Sequence, residues 1–256
     1  MGIVNVTPDS FFDGGKFSQT NLAIAHALKL AEEGASILDI GGESTRPNAM
    51  PVSLQEELER VIPVIEALVS QVNIPISIDT YKPQVMQAAI ATGASMVNDV
   101  RALQEDGALE VVANANVGVC LMHMQGTPQT MQQNPQYHNV LEDVKAFLNA
   151  RLQASTHAGC KAANILLDPG FGFGKTREHN ITLLQNLESL ADLGQPLLVG
   201  LSRKSVLGQV TGNDIDARLY ASIAASVIAS MKGAKILRVH DVKATVEALK
   251  VVTAIQ

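Results

Sequence analysis

Short apolar runs alternate with longer helical patterns about eight times along this chain. The runs are GIVNV (2–6), SILDI (36–40), PISID (75–79), SMVND (95–99), VGVCLMH (117–123), NILLD (164–168), PLLVG (196–200) and AKILRV (234–239). Between and after them, apolar spacing predicts helices over 19–33, 53–71, 82–91, 106–114, 138–157, 178–190, 216–232 and 241–254. Leu54, Leu58, Val61, Ile62, Ile65 and Leu68 form one such stripe at i, i+3, i+4 intervals. The runs are nearly continuous rather than alternating, as burial on both faces of a parallel sheet requires. Strand-then-helix order implies parallel βαβ units. No linker-like stretch or composition shift interrupts the series, so residues 1–256 are expected to form one domain.

Eight units can close as a (β/α)8 barrel or stay open as a doubly wound sheet. Polar residues gather at the C-terminal end of the runs: Asn5 and Thr7, then Asp39, Asp79, Asn98, His123, Asp168, Ser202 with Lys204, and Arg238 with His240. A TIM barrel assembles its site from that face, so a single-domain α/β (β/α)8 barrel is the expected fold. Met1 stands directly before the first run, and a truncated N-terminal strand is expected.

Composition narrows the chemistry. Lys+Arg 19 against Asp+Glu 25 leaves a net charge of −6, which argues against a polyanion-binding surface. Aromatics are 4% with no Trp, too few for base-stacking platforms. Cys120 and Cys160 lie in no metal or disulfide spacing, and a reducing, cytoplasmic setting is expected. Neither a run of 18 apolar residues nor a basic-then-apolar leader is present, so no membrane or secretory role is expected. These features point to a small-molecule substrate.

GFGFGKT (170–176) fails the P-loop spacing, because Pro169 stands where Gly is needed. It reads as a loop whose glycines allow close backbone approach. Asp39, Asp79, Asn98 and Asp168 at one barrel mouth would repel one another unless a ligand supplies donors, as the N–H edge of a flat heterocycle would. A hard cation is the alternative. Arg46, Arg203, Lys204, Arg238 and His240 together form a positive focus suited to phosphate. NVTPDSFFDGG (5–15) reads as a lid, HMQGTPQTMQQNPQ (123–136) as a long polar loop. His123 fits a core or a site position equally. The seventh predicted helix shows only Ser222, Ser226 and Ser230 as a polar stripe, so a homodimer packed on that small-residue face is expected.

NVTPDSFFDGG, LDIGGESTRP (38–47), SIDT (77–80), VNDV (97–100), HMQGTP (123–128), DPGFGFGK (168–175), LSRK (201–204) and RVHDV (238–242) together resemble the bacterial dihydropteroate synthases, in order and spacing throughout. That resemblance implies condensation of 6-hydroxymethyl-7,8-dihydropterin pyrophosphate with p-aminobenzoate, giving 7,8-dihydropteroate and pyrophosphate, with Mg²⁺ as cofactor and sulfonamides as competitors. It implies a pterin pocket of Asp79, Asn98, Asp168 and Lys204, lined by Met122 and Gly200 with Asp39 nearby. Asn5, Arg238 and His240 would hold the pyrophosphate, with Asn5 also serving Mg²⁺. Phe11, Thr45, Arg46, Pro47, Phe173, Ser202 and Lys204 would form the p-aminobenzoate site. Asp79, Asp168, Lys204, Arg238 and His240 would carry the chemistry. Phe12 and Asn48 depart from the family pattern beside that site, and the short N-terminal hairpin usual in the family is expected to be missing.

The bond to be broken is benzylic-like, on an electron-rich ring, so the demands are leaving-group stabilisation and positioning rather than a strong base. A pterin-dependent methyltransferase shares the pterin end, and a disabled pterin-binding relic is the non-enzyme reading. The first has no use for the Lys204, Arg238 and His240 set.

Overall fold

The computed structural model describes residues 1–7, 16–46 and 49–255. Eight parallel strands form one sheet in chain order: β1 Gly2–Asn5, β2 Leu38–Gly41, β3 Ile76–Asp79, β4 Met96–Asp99, β5 Gly118–Met122, β6 Ile165–Asp168, β7 Leu197–Val199 and β8 Ala234–Leu237. Beyond β8 the backbone meets β1 again. Ile3 N donates to Val239 O at 3.0 Å, and Val239 N donates to Met1 O at 2.9 Å. The strands are almost wholly buried, matching their unbroken apolar character.

Helices follow the strands: α1 Lys16–Glu32, α2 Leu54–Val69, α3 Pro83–Thr92, α4 Ala108–Ala115, α5 Val140–His157 and α6 Arg177–Gln185. After β7 come α7 Ser205–Thr211 and α8 Leu219–Met231, and after β8 comes α9 Val242–Ile255. Their starts are chemically marked. Ser53 caps α2 by accepting from Glu56 N, Pro83 opens α3, Asn139 caps α5, and Thr176 and His179 form a capping box on α6. Val61, Val64, Ile65 and Leu68 of α2 are buried in the core, whereas Leu54 at the start of the expected stripe is exposed.

Three expectations need correction. The helix expected over 178–190 breaks at Asn186, and a 3₁₀ stretch follows over Leu187–Leu193. The short α7, seven residues long, was not expected, because two turns are too few to show a periodicity. The serine stripe also faces inward: Ser222 and Ser226 are buried, and Ser222 Oγ accepts from Arg203 N at 2.9 Å. The outward face of α8 instead presents Tyr220, Ile228 and Met231. A low-charge helix hid its own orientation, since hydroxyls satisfied locally bury as readily as alanine.

Candidate active site

Parallel register sets the acids side by side. Asn5 lies opposite Gly41, Gly41 opposite Asp79, and Asp79 opposite Asn98, so one row crosses the C-terminal ends of β1 to β4. Met122 and Asp168 pair across β5 and β6. Each polar residue is the last or nearly the last of its strand, so its backbone stays in the ladder while its side chain faces the mouth.

At the centre is Arg238, just past β8. Its Nε donates to Asp39 Oδ2 and its Nη2 to Asp79 Oδ2, both at 2.6 Å. Asn98 Nδ2 donates to the same Asp39 oxygen at 3.1 Å. The other Asp39 oxygen, Oδ1, is buried without a partner among the described residues. Burial pushes the Asp79 carboxyl up to about 7, against the pull of Arg238 and with added repulsion from Asp39.

Asp168 stands opposite, its Oδ1 accepting from Gly170 N at 2.7 Å, and burial raises its pKa while the Lys204 charge opposes the rise. Lys204 Nζ donates to Phe171 O and lies 4.5 Å from the Phe173 ring centroid. Burial brings the Lys204 ammonium down to about 8, although Asp168 favours its charged form. A Cβ at Gly200 would lie within 4 Å of both Lys204 Nζ and Arg238 Cβ, which places that glycine between the two cations. Met122 lies buried at the end of β5.

His240 and Ser202 meet at the rim, where Ser202 Oγ accepts from His240 N at 3.2 Å and lies 3.1 Å from Nδ1. Burial, with the Arg238 and Arg203 charges, drops the His240 imidazole to about 4, so its ring is neutral at physiological pH. The positive focus is therefore smaller than its sequence suggests. Arg203 makes a two-bond pair with Asp241, Nε at 3.0 Å and Nη2 at 2.7 Å, and Arg238 is turned toward the acids. Acidic and basic halves are interleaved rather than separate. Thr45 and Arg46 lie on the loop after β2, with Arg46 exposed, while Phe11, Phe12, Pro47, Asn48 and most of the expected lid fall outside the described residues.

The glycine-rich loop is held by a residue the sequence alone did not single out. Lys175 is 3% exposed, and its Nζ contacts His123 Nδ1 at 2.8 Å, Gly170 O at 2.9 Å and Phe173 O at 3.0 Å. That resolves His123: it is buried, and burial with the Lys175 charge lowers its pKa to about 3. The signal available beforehand was a lone Lys inside an otherwise apolar, glycine-rich segment. At Gly170, φ is +67°, and a Cβ there would sit 1.9 Å from His123 O. Gly170→Ala is therefore expected to cost at least about 2 kcal/mol, from left-handed strain plus a backbone clash. Chemical denaturation measures this, and an unchanged midpoint would contradict the packing described.

Among the described residues no cluster of three His, Cys, Asp or Glu could hold a metal. Asn5 contributes one amide oxygen at the end of β1. An amide oxygen is a donor type that Mg²⁺ accepts beside substrate phosphates and water.

The family described as pterin binding enzyme matches residues 1–240. A dihydropteroate synthase from Haemophilus influenzae is 53% identical over 251 residues, covering 98% of this chain and 91% of that protein. The solved Xanthomonas albilineans dihydropteroate synthase with 4-aminobenzoic acid superposes with a TM-score of 0.95 at 53% identity, covering 100% of this chain and 92% of that one. The Yersinia pestis enzyme in a sulfonamide drug complex gives 0.95 at 49% identity, with 100% and 93% covered.

Proposed function

This chain belongs to the pterin-binding enzymes and within them to the dihydropteroate synthases, and from that membership we propose how its residues divide the work. The reaction is the condensation of 6-hydroxymethyl-7,8-dihydropterin pyrophosphate with p-aminobenzoate, a transfer of an alkyl group, and sulfonamides compete with the arylamine. The methyltransferase alternative is not favoured, since relatives matched along nearly the whole chain are named as synthases.

The observation that carries the assignment of the pterin end is the set of buried Asp39, Asn98 and Asp168 with the largely shielded Asp79, one Asp39 oxygen being unpartnered among the described residues. Buried acceptors of this kind call for donors, and the N–H edge of a pterin supplies them. Asp79, Asn98, Asp168 and Lys204 bind the ring, with Met122 and Gly200 as walls and Asp39 as the anchor of Arg238. As the C–O bond breaks, its electron pair leaves with the diphosphate and positive charge grows on the ring. The Asp79 and Asp168 carboxylates stabilise that charge. Arg238 and Asn5, with the neutral His240 ring donating an N–H, receive the diphosphate. Mg²⁺, when bound, neutralises diphosphate charge. Thr45, Arg46, Pro47, Phe11, Phe173 and Ser202 hold the arylamine in line, and the new C–N bond forms as its nitrogen attacks and then loses a proton. Positioning supplies most of the acceleration, so no strong base is needed.

The backbone bonds between β1 and the residues after β8 support a closed (β/α)8 barrel in which residues 1–256 act as one domain. No helix among the described residues is long and apolar enough to cross a membrane. The exposed Tyr220, Ile228 and Met231 on α8, with Val251 and Ile255 on α9, support a homodimer through these two helices. Light scattering is expected to give twice the 27.2 kDa chain mass, and a monomer at micromolar concentration would reject the dimer.

The decisive assay follows pyrophosphate release from the pterin diphosphate with Mg²⁺, with and without p-aminobenzoate. Release that depends on p-aminobenzoate supports the synthase. Pterin binding without release would leave a binding relic.

A further inference from the structure

Glu43 stands near the start of the loop that carries Thr45 and Arg46, and it is tied down from three directions. Its Oε2 accepts from Val52 N at 3.3 Å, nine residues on, which closes the base of the loop on itself. Its Oε1 accepts from Tyr81 OH at 3.3 Å. Lys82 Nζ donates to Glu43 Oε2 and, at 2.5 Å, to Glu57 Oε2 on α2. Arg60 of α2 adds a bond to Gly42 O at 2.7 Å. Tyr81 and Lys82 follow Asp79 by two and three residues on the tight connection from β3 to α3.

The consequence is geometric. The loop's root is bolted to the strand end that presents Asp79, so two parts of the site that come from different strands keep a fixed separation. The side chains concerned are mostly shielded, Glu57 at 1% exposure, Lys82 at 14% and Glu43 at 11%. Charge-assisted bonds so shielded from water are stiffer than exposed surface pairs. Lys82 is pushed toward neutrality by burial, but the bonds from Glu43 and Glu57 prevail and keep it protonated.

We propose that Glu43, clamped by Val52, Tyr81 and Lys82, is a positioning residue that sets the distance between the arylamine-binding loop and the pterin-binding end of β3. This rests on the reading that Thr45 to Pro47 bind p-aminobenzoate. In-line attack tolerates little displacement, so loss of the clamp acts on the arylamine rather than the ring.

The test uses Glu43→Ala, which leaves the Lys82–Glu57 pair intact, in the full-length chain. The KM for p-aminobenzoate is expected to rise about tenfold, while that for the pterin diphosphate stays within about threefold. Glu43→Gln keeps an acceptor for Val52 N, and it is expected to restore the p-aminobenzoate KM in part. Should the alanine variant fail to fold, the glutamine variant still reads the same split at smaller size. Equal rises in both KM values, or a lower melting temperature with neither KM changed, would overturn the proposal. Thr45→Ala separates the two layers. If it raises the p-aminobenzoate KM and Glu43→Ala does not, the clamp idea fails alone. If neither does, the loop does not bind the arylamine and both fail.

Discussion

Replacing Arg238 by Met is expected to cost about 3–5 kcal/mol of folding stability as well as turnover, because it strands two buried carboxylates. Asp39 is fully buried and Asp79 is 10% exposed, and each loses a 2.6 Å charge-assisted bond. The loss has a pH signature. Burial already holds the folded Asp79 near 7, above its ordinary 3.8, and without Arg238 it goes higher. An acid whose folded pKa is raised binds protons more readily folded than unfolded. Stability therefore falls as pH rises above the unfolded value of about 4. The defect relative to wild type should stay nearly constant from pH 4 to about 6 and grow as pH rises through and above 7, where wild-type Asp79 ionises and the variant's does not, as read by chemical denaturation from pH 4 to about 9. A defect independent of pH would mean that the carboxylates are not the stranded groups. The variant should still bind pterin at low temperature while releasing pyrophosphate slowly. An unchanged rate would remove Arg238 from the leaving-group side.

Asp168 is the second large effect. Asp168→Ala is expected to lose about 2–5 kcal/mol of pterin binding, the scale for truncating one partner of a buried, hydrogen-bonded charge pair. The alanine also removes the 2.7 Å acceptor of Gly170 N, which disturbs the loop carrying Phe171 and Phe173. Asp168→Asn separates the two contributions. It can keep the Gly170 bond through its amide oxygen while losing the charge and one acceptor. Titration calorimetry with the pterin should show Asn nearly as weak as Ala. Wild-type affinity in both variants would take Asp168 out of the pocket.

Several residues show why only part of this site could be read in advance. Asp79, Asn98 and Asp168 were legible because a polar residue at or next to the end of an apolar run faces outward at the strand end, and Asp39 because it is the one charge inside its run. His123 was not, since its role depends on Lys175, 52 positions away. Arg203 was expected among the phosphate-binding cations and is paired to Asp241, a choice made by two adjacent loops rather than by either segment. The serine stripe of α8 pointed to the wrong face for the same reason. Small hydroxyls carry no periodic signal strong enough to say which side is wet.

Local pattern determined the order of eight strands and their helices, the direction of the sheet and the strand ends bearing the acids, because each of these follows from burial along a short stretch of chain. Which acid meets which cation was decided by the fold alone. Arg238 reaches Asp39 and Asp79 from about 200 and 160 positions away. A Coulomb pair is selected by distance in space, and no spacing along the sequence encodes that distance.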